Sequence, residues 1–279
     1  MKRLVWAALL ISGLTGATTT AVNAQEQDTV ITTTTTTKTT VKKKDMEKTF
    51  DMKHGIGINI GKKDSTGTTS SNGRFVGGIT FTRVDLGYSR LVDNGSFTLS
   101  PENEFLDNRG GKTSTFSFDV AQMGYRFNQN FKIYVAGGFD WTHIRLNKNI
   151  TIQKDQQQLT YVEDDVEFSK NRFSSSYLHI PLNFELRTKE NNNGNRFYFV
   201  IGPEVSFLLN GKVKQISEER GKQKFTDDYR FQAFRYGGTL RFGYNGFGFF
   251  TKYYFNDMFA SAPQKGLKNM SFGVTFGLN

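Results

Sequence analysis

The segment from Ser174 to Lys214 constrains the fold more than any other part of the chain. Apolar residues occupy every second position of its first half, and polar or charged residues stand between them. Because successive side chains of a β-strand point to opposite faces, this half predicts a strand with one apolar and one polar face. The turn 190–195 is rich in Asn and Gly, which tolerate positive φ, and the second half repeats the alternation. The segment therefore predicts a long β-hairpin lying between an apolar and a polar environment.

The same alternation recurs along most of the chain. Nine candidate strands cover residues 50–61, 74–92, 112–127, 131–145, 174–187, 196–214, 229–244, 247–259 and 268–278. The alternation changes phase near Thr82-Arg83 and near Ala121, which predicts a bulge or tight turn at each place. From residue 93 onward long connections (93–111, 146–173, 215–228 and 261–266) alternate with short ones (128–130, 190–195 and 245–246).

The N-terminal residues have the pattern of a secretory signal peptide over 1–24. Lys2 and Arg3 precede an apolar run that reaches Leu14, and small residues at Val22-Asn23-Ala24 predict cleavage before Gln25. Residues 25–48 are rich in Thr and Lys and lack bulky apolar side chains, so we expect a disordered periplasmic extension. The remaining residues, 49–279, form one predicted barrel domain. With no Cys in the chain, disulfides and thiolate sites are excluded.

The loop pattern and the export signal favour a membrane barrel over a soluble β-sandwich. Transmembrane barrels have short periplasmic turns and long outer loops. We therefore predict an all-β, antiparallel, up-and-down transmembrane β-barrel in the outer membrane of a Gram-negative bacterium. Both termini are expected in the periplasm, which requires an even number of strands. Since there are nine candidates, segment 74–92 should decide the number: eight if it lies outside the wall, which we favour, and ten if it forms a hairpin.

Several segments resemble the PorT-like outer-membrane β-barrel proteins of the Bacteroidetes. They are SYLHIPLNFELR at 176–187, FRYGGTLRFGYNGFGFFTKYYFNDMF at 234–259, NMSFGVTFGLN at 269–279 and, near the start, HGIGINIG at 54–61. The resemblance implies a small barrel, most often of eight strands. Through PorT it also implies a link to the type IX secretion system. These motifs are structural rather than catalytic.

The polar faces of the strands should line the barrel interior. Six charged residues form the predicted interior charge network: Glu185, Arg187, Glu204, Arg235, Arg241 and Lys252. An eight-stranded barrel is just wide enough for its own side chains to fill it, and an unpaired buried charge costs several kcal/mol. We therefore expect paired charges rather than a pore, with Glu204 and Arg235 as one suggested pair. The apolar parity should face lipid at Leu178, Ile180, Leu182, Phe184, Leu186, Phe272, Val274 and Phe276.

No short motif predicts catalysis, a metal site or a cofactor. The three histidines, His54, His143 and His179, lack a second His at the i+4 spacing and lack a zinc-type cluster. His179 is expected to face the interior near Glu185 and Arg187. We therefore predict a non-enzymatic outer-membrane protein, anchored by its strands and offering its outer loops as a contact surface. An accessory of protein secretion, a small pore and an outer-leaflet enzyme are the alternatives.

The formal net charge of +10 constrains the expected partners. In an exported chain, positive charge favours lipid phosphates or anionic glycans over nucleic acid. The predicted partners are outer-membrane lipid, the barrel-assembly machinery acting through the C-terminal strand, and cell-envelope or secretion proteins.

Overall fold

The computed structural model describes residues 47–51, 55–60 and 74–277. The alternating segments form β-strands: β1 (Glu47–Asp51), β2 (Gly55–Ile60), β3 (Arg74–Asp93), β4 (Ser114–Arg126), β5 (Phe131–Arg145), β6 (Ile150–Ile152), β7 (Tyr161–Glu163), β8 (Lys170–Arg187), β9 (Phe197–Ser217), β10 (Gly221–Asp227), β11 (Phe234–Tyr244), β12 (Phe247–Tyr254) and β13 (Leu267–Gly277). Three single-turn 3-10 helices lie at Glu104–Leu106, Gly110–Lys112 and Ala262–Gln264. Over the described ranges, no helix is long and apolar enough to cross a membrane.

Eight of these strands close into a ring. The order is β3-β13-β12-β11-β9-β8-β5-β4, and β4 pairs back with β3 to complete it. Every pairing is antiparallel. The predicted all-β antiparallel barrel is thus confirmed, with eight strands in its wall.

The prediction for segment 74–92 was wrong in detail. This segment neither forms a hairpin nor lies outside the wall, because all of it belongs to the single ring strand β3. Of the five described strands outside the ring, β10 extends β9, β6 and β7 form a separate two-stranded sheet, and two come from the preceding segment. There β2 pairs with the first half of β3, and β1 pairs with β2, so both lie beyond the ring. The predicted signal peptide 1–24 lies outside the described residues, and of the 25–48 extension only residues 47 and 48 are described, at the start of β1.

Register shifts occur at both predicted phase changes. One lies between Ile79 and Arg83 where β3 pairs with β4, and the other lies between Asp119 and Ala121 where β4 pairs with β5. A third shift, between Ser176 and Tyr177 where β8 pairs with β9, was not predicted. Each shift exchanges the inward and outward parity of a strand.

The connections separate the barrel into two ends. Short turns at 127–130, 188–196 and 245–246 form the short-turn end, and the longer connections form the long-loop end. At the tightest turn Asn245 and Gly246 both have positive φ, 46° and 85°, as a type I′ hairpin turn requires. The predicted loop 215–228 was wrong, because β9 continues through it and returns as β10, with Lys214 opposite Lys224. The hydrogen-bonding capacity of this polar stretch is satisfied in a hairpin beyond the ring.

Candidate functional site

The interior of the barrel is polar near the short-turn end. In β8, from Tyr177 to Leu186, odd-numbered residues are buried and even-numbered residues are half-buried or exposed. The eight residues predicted to face lipid all lie on the outer surface, where Leu186 is 52% exposed and Phe272 and Phe276 are each 43% exposed. Because period-2 alternation fixes both faces, the polar residues of the same strands point inward.

The structure places the six predicted charges as follows. Glu185, Glu204, Arg235, Arg241 and Lys252 are each at most 2% exposed. The sixth, Arg187, is half-buried at the end of β8, beside the short turns. Charges buried this deeply require partners, since an isolated ion in a low-dielectric interior is very costly.

The charges nearest the short-turn end surround Glu185. Lys132 Nζ lies 3.2 Å from its carboxylate, Arg187 forms a second ion pair with it, and Arg83 lies 4.0 Å away. Arg83 also donates a hydrogen bond of 2.6 Å to the Tyr134 hydroxyl. The ammonium of Lys132 lies 4.1 Å from the centre of the Tyr134 ring. One carboxylate is therefore shared by three cations.

A second pair crosses the barrel between β11 and β3. Arg241 Nη2 lies 2.7 Å from Asp85 Oδ2, and its Nε donates to the same carboxylate at 3.2 Å. Ser117 donates a further hydrogen bond to Asp85 Oδ2. Two parallel N–H···O contacts give the planar guanidinium a fixed orientation.

Lys252 lies at the centre of a third group, which we call the Lys252 cluster: Lys252, Asp140, Glu204 and Tyr254. Its ammonium lies 2.7 Å from Asp140 Oδ2 and 3.0 Å from Glu204 Oε1. The Tyr254 hydroxyl reaches the same two oxygens, at 3.2 Å and 2.8 Å. The suggested pair of Glu204 with Arg235 was therefore wrong, because Lys252 and Tyr254 occupy the Glu204 oxygen instead.

His179 links this cluster to β4. Its Nε2 lies 3.1 Å from Asp119 and its Nδ1 lies 3.6 Å from Glu204, so the expected position near Glu185 was wrong. Gly138 makes room for the ring, since a Cβ there would lie 2.6 Å from His179 Nε2. The imidazole is 0% exposed and lies between two carboxylates.

Three of these groups are spaced closely enough to hold a metal ion. One ligand atom each from Asp140, His179 and Glu204 lie within 4.8 Å of one another. The Lys252 ammonium contacts both carboxylates of that set. The chain thus supplies its own cation at the position where a metal would neutralise the two acids.

Arg235 is held differently. Its guanidinium carbon lies 3.4 Å from the centre of the Tyr177 ring and 4.0 Å from that of Tyr254. The side chain is 0% exposed, and its Nε, Nη1 and Nη2 atoms have no hydrogen-bond partner among the described residues. Stacking between two aromatic faces replaces hydrogen bonds as the stabilising contact.

Above Arg235, toward the long-loop end, the interior becomes apolar. We call this layer the apolar plug. Its members come from ring strands and from the long connections, and they are Leu91, Phe105, Leu106, Ile144, Leu146, Ile150, Ile152, Leu159, Phe173, Val213, Tyr229, Phe231, Met258, Phe259 and Leu267. Phe173 lies at its centre, with ring centroids 4.8 Å from Phe231 and 6.0 Å from Phe259. The long connections therefore fold inward over the barrel mouth.

Sequence reasoning missed two groups of interior residues. Asp85 and Asp119 adjoin the register shifts of β3 and β4, where the parity of the strand is ambiguous. The apolar plug follows the third shift, beyond which the parity of β9 changes and Val213 faces inward, opposite the buried Phe173 of β8. By contrast, strand parity alone puts Lys132 and Asp140 on the polar face of β5. These two residues could therefore have been added to the predicted interior charge network from the sequence alone.

One family model and two solved structures are similar to this chain. The model of the family described as outer membrane protein beta-barrel domain matches residues 74–259, which is more than half of the chain. No curated protein is similar enough to this chain to count as a relative. Among solved structures, two of the attachment invasion locus protein Ail of Yersinia pestis are similar at 14% sequence identity and a TM-score of 0.31. The match to the first, which is a complex with the heparin analogue sucrose octasulfate, spans 74% of this chain and 97% of the Ail chain. The match to the second spans 75% of this chain and 98% of the Ail chain.

The family match extends from the first ring strand, β3, to the connection that follows β12. It includes seven of the eight ring strands and every charged interior residue described above. The closed antiparallel ring, the apolar outer face and the family match lead to the same assignment. This chain belongs to the outer membrane protein beta-barrel domain family and is a β-barrel protein of the outer membrane.

Proposed function

We propose that this protein is a non-enzymatic membrane anchor with a permanently closed interior. Its long-loop end serves as a contact surface, and both of its termini lie in the periplasm. The observation that carries the proposal is the filling of the interior by two successive layers, the paired charges and then the apolar plug. An eight-stranded ring has little interior volume beyond that of its own side chains.

The two layers block passage for different reasons. An ion entering from the short turns meets the Glu185, Asp85 and Lys252 groups, whose charges are already paired at 2.7 to 3.2 Å. An ion that passed them would meet the apolar plug around Phe173, where its desolvation is unfavourable. Either layer alone would oppose conduction.

Planar lipid bilayers test the closure directly. We expect the purified full chain to insert and to give no stable single-channel current. A general porin added afterwards to the same bilayer is the positive control. Reproducible, ion-selective current steps from the wild-type protein would refute the anchor and establish a pore.

The non-enzymatic part of the proposal is supported by the surroundings of His143. Its Nδ1 lies 3.0 Å from Ser174 Oγ, on the outer face of the barrel. In the described ranges no carboxylate forms an ion pair or hydrogen bond with the His143 ring. A Ser–His pair of a hydrolytic triad is completed by a carboxylate that orients the histidine, and this pair lacks it. We expect no hydrolysis of outer-membrane lipids by the purified protein. Fatty-acid release that Ser174→Ala abolishes would contradict this.

We further propose that the chain is a PorT-like barrel of the Bacteroidetes type. The support is the motif at 176–187, which supplies the alternating part of β8 and contributes His179 and Glu185 to the interior. An accessory role in secretion would then act through partner proteins at the long-loop end or through the N-terminal segment. Co-purification of secretion-system proteins after cross-linking in intact cells would support this role, and recovery of the barrel alone would oppose it. Protease cleavage of a C-terminal tag on intact cells would refute the proposed orientation.

A further inference from the structure

A row of four cations crosses the outer surface near the long-loop end. Arg145 on β5 is opposite Arg172 on β8, Arg172 is opposite Lys214 on β9, and Lys214 is opposite Lys224 on β10. Directly opposite residues share a face, with Cβ atoms about 4.5–5.5 Å apart. We call these four residues the cation row. Lys170, Lys212 and Lys222 are on the same strands within two residues of the row.

The cation row is electrostatically unfavourable in the protein alone. Like charges directly opposite each other destabilise a sheet. In the described part of the chain, none of the four forms an ion pair with a carboxylate. Partial desolvation, followed by the neighbouring cations, lowers the pKa of Lys214. Arg172 Nε is buried without a hydrogen-bond partner. The row is therefore a site of uncompensated positive charge on a rigid sheet.

An aromatic surface on β4 and β5 lies below the Arg145 end of the cation row. Trp141 is stacked with Phe116 and Phe118, at centroid distances of 5.5 and 5.6 Å, and with Phe139 at 5.8 Å. Trp141 precedes Arg145 by four residues on β5, a rise of about 13 Å along the strand. Trp is typical of the membrane–water interface. The cation row therefore lies outside the hydrocarbon core, on its aqueous side.

A groove connects the aromatic surface with the row. Its volume is about 300 Å³, and it is lined by Phe116, Trp141, His143, Arg172, Ser174, Ser176, Asn210 and Lys212. Its lower part is aromatic, and its upper part carries Arg172 of the row and the neighbouring Lys212 together with hydroxyl and amide groups. An amphiphile with an apolar chain and an anionic headgroup matches this distribution.

We propose that the cation row and this groove bind a lipid with a phosphorylated headgroup, in the leaflet that surrounds the long-loop end. The phosphates lie against Arg172 and Lys214, and one acyl chain lies along Trp141 and Phe116. A row of four cations fits a headgroup that carries more than one phosphate. In the orientation proposed above, this leaflet is the outer one, where phosphorylated glycolipid is the matching chemistry.

Native mass spectrometry of the purified full chain tests the proposal. The protein is incubated with equal amounts of bisphosphorylated lipid A and of the same lipid after phosphate removal, and the bound forms are counted. We expect strong enrichment of the phosphorylated form. The variant Arg172→Gln with Lys214→Gln should reduce that enrichment about 25-fold, since each cation near an anionic lipid surface contributes roughly fivefold. Micelles have no sidedness, so this result does not depend on the orientation of the barrel.

The matched control is Lys189→Gln with Lys265→Gln, which removes the same charge from exposed positions elsewhere. Its enrichment should equal that of the wild type, and both variants should keep the heat-dependent gel shift of a folded barrel. If the row variant fails to fold, wild-type enrichment must still fall as salt increases, because exposed charges are screened. Equal binding of the two lipids, no response to salt, or displacement of lipid A by millimolar inorganic phosphate or by a sulfated oligosaccharide would each overturn the proposal.

Discussion

Replacing Lys252 by Met should destabilise the barrel more than any single change on its outer surface. The ammonium is 2% exposed and lies 2.7 Å from Asp140 and 3.0 Å from Glu204. Met keeps most of the side-chain volume, so the main effect is electrostatic. Removing one partner of a buried ion pair leaves the other charge uncompensated and costs about 3–5 kcal/mol. In Lys252→Met two carboxylates lose their shared cation, which places the expected loss at the upper end of that range.

Unfolding by urea in vesicles of neutral phosphatidylcholine measures this loss. Trp141 is the only Trp after position 6, so its fluorescence reports on the barrel once the predicted signal peptide is removed. With an m-value of about 3 kcal/mol/M, a loss of this size lowers the urea midpoint by about 1–2 M. The exposed Lys265→Met is the matched control and should change stability by less than about 0.5 kcal/mol.

A compensating variant separates charge from packing. Glu204→Gln combined with Lys252→Met restores the balance between the interior acids and bases, so it should recover part of the lost stability. A Lys252→Met midpoint within 0.2 M of the wild type would refute the view that the ion pairs are desolvated in the folded barrel. If the combined variant were as unstable as the sum of its parts, the loss would come from packing instead.

Three further predictions follow from other parts of the structure. Phe173→Ala should cost about 3–5 kcal/mol, because it removes a fully buried ring from the apolar plug; limited proteolysis should then cut the long connections faster than in the wild type. Ile180→Arg, on the outer face of β8, should cost about 2–4 kcal/mol if it lies near the bilayer midplane, measured as the same urea midpoint. Although burial acts in the opposite direction, hydrogen bonds from Ser100 and Asn103 hold the pKa of Asp93 below its usual range. Its ionised form therefore stabilises the first long connection above about pH 4, and this contribution should be lost as the pH falls further. Amide exchange at Ser100 should show that loss in the wild type and not in Asp93→Asn.

Strand periodicity was enough to predict the wall and the polar lower interior. Each ring strand has at least one uninterrupted alternating stretch. Because one face of the strand is buried, the alternation determines which residues point inward and which point outward. For this reason Glu185, Glu204 and Lys252 could be placed on the inward parity from the sequence. Their partners could not, because a contact between Lys252 and Asp140 depends on which strands lie across the barrel, and local pattern carries no information about that.

The parts that escaped prediction lie beyond a register shift or in the long connections. Beyond the shift at Ser176 the inward positions of β9 change from even to odd, so the parity rule that holds for the lower half of β9 puts Val213 on the wrong face. Gln215 reads as a loop residue by composition. It is buried, however, and donates hydrogen bonds to the backbone oxygen of Ile150 and to Thr151. Its side-chain amide therefore hydrogen-bonds to protein atoms rather than to solvent.

The sequence separation of the interior ion pairs has a consequence for assembly. Asp85 and Arg241 are 156 residues apart, and Asp140 and Lys252 are 112 residues apart. Neither pair can form while the sheet is still open, since the later strand of each pair is added near the end of the chain. An open sheet inserted in lipid would expose these charges to hydrocarbon at a cost of several kcal/mol each. Closure of the ring and entry into the bilayer core must therefore be coupled, and slow closure is expected from contacts this distant in sequence.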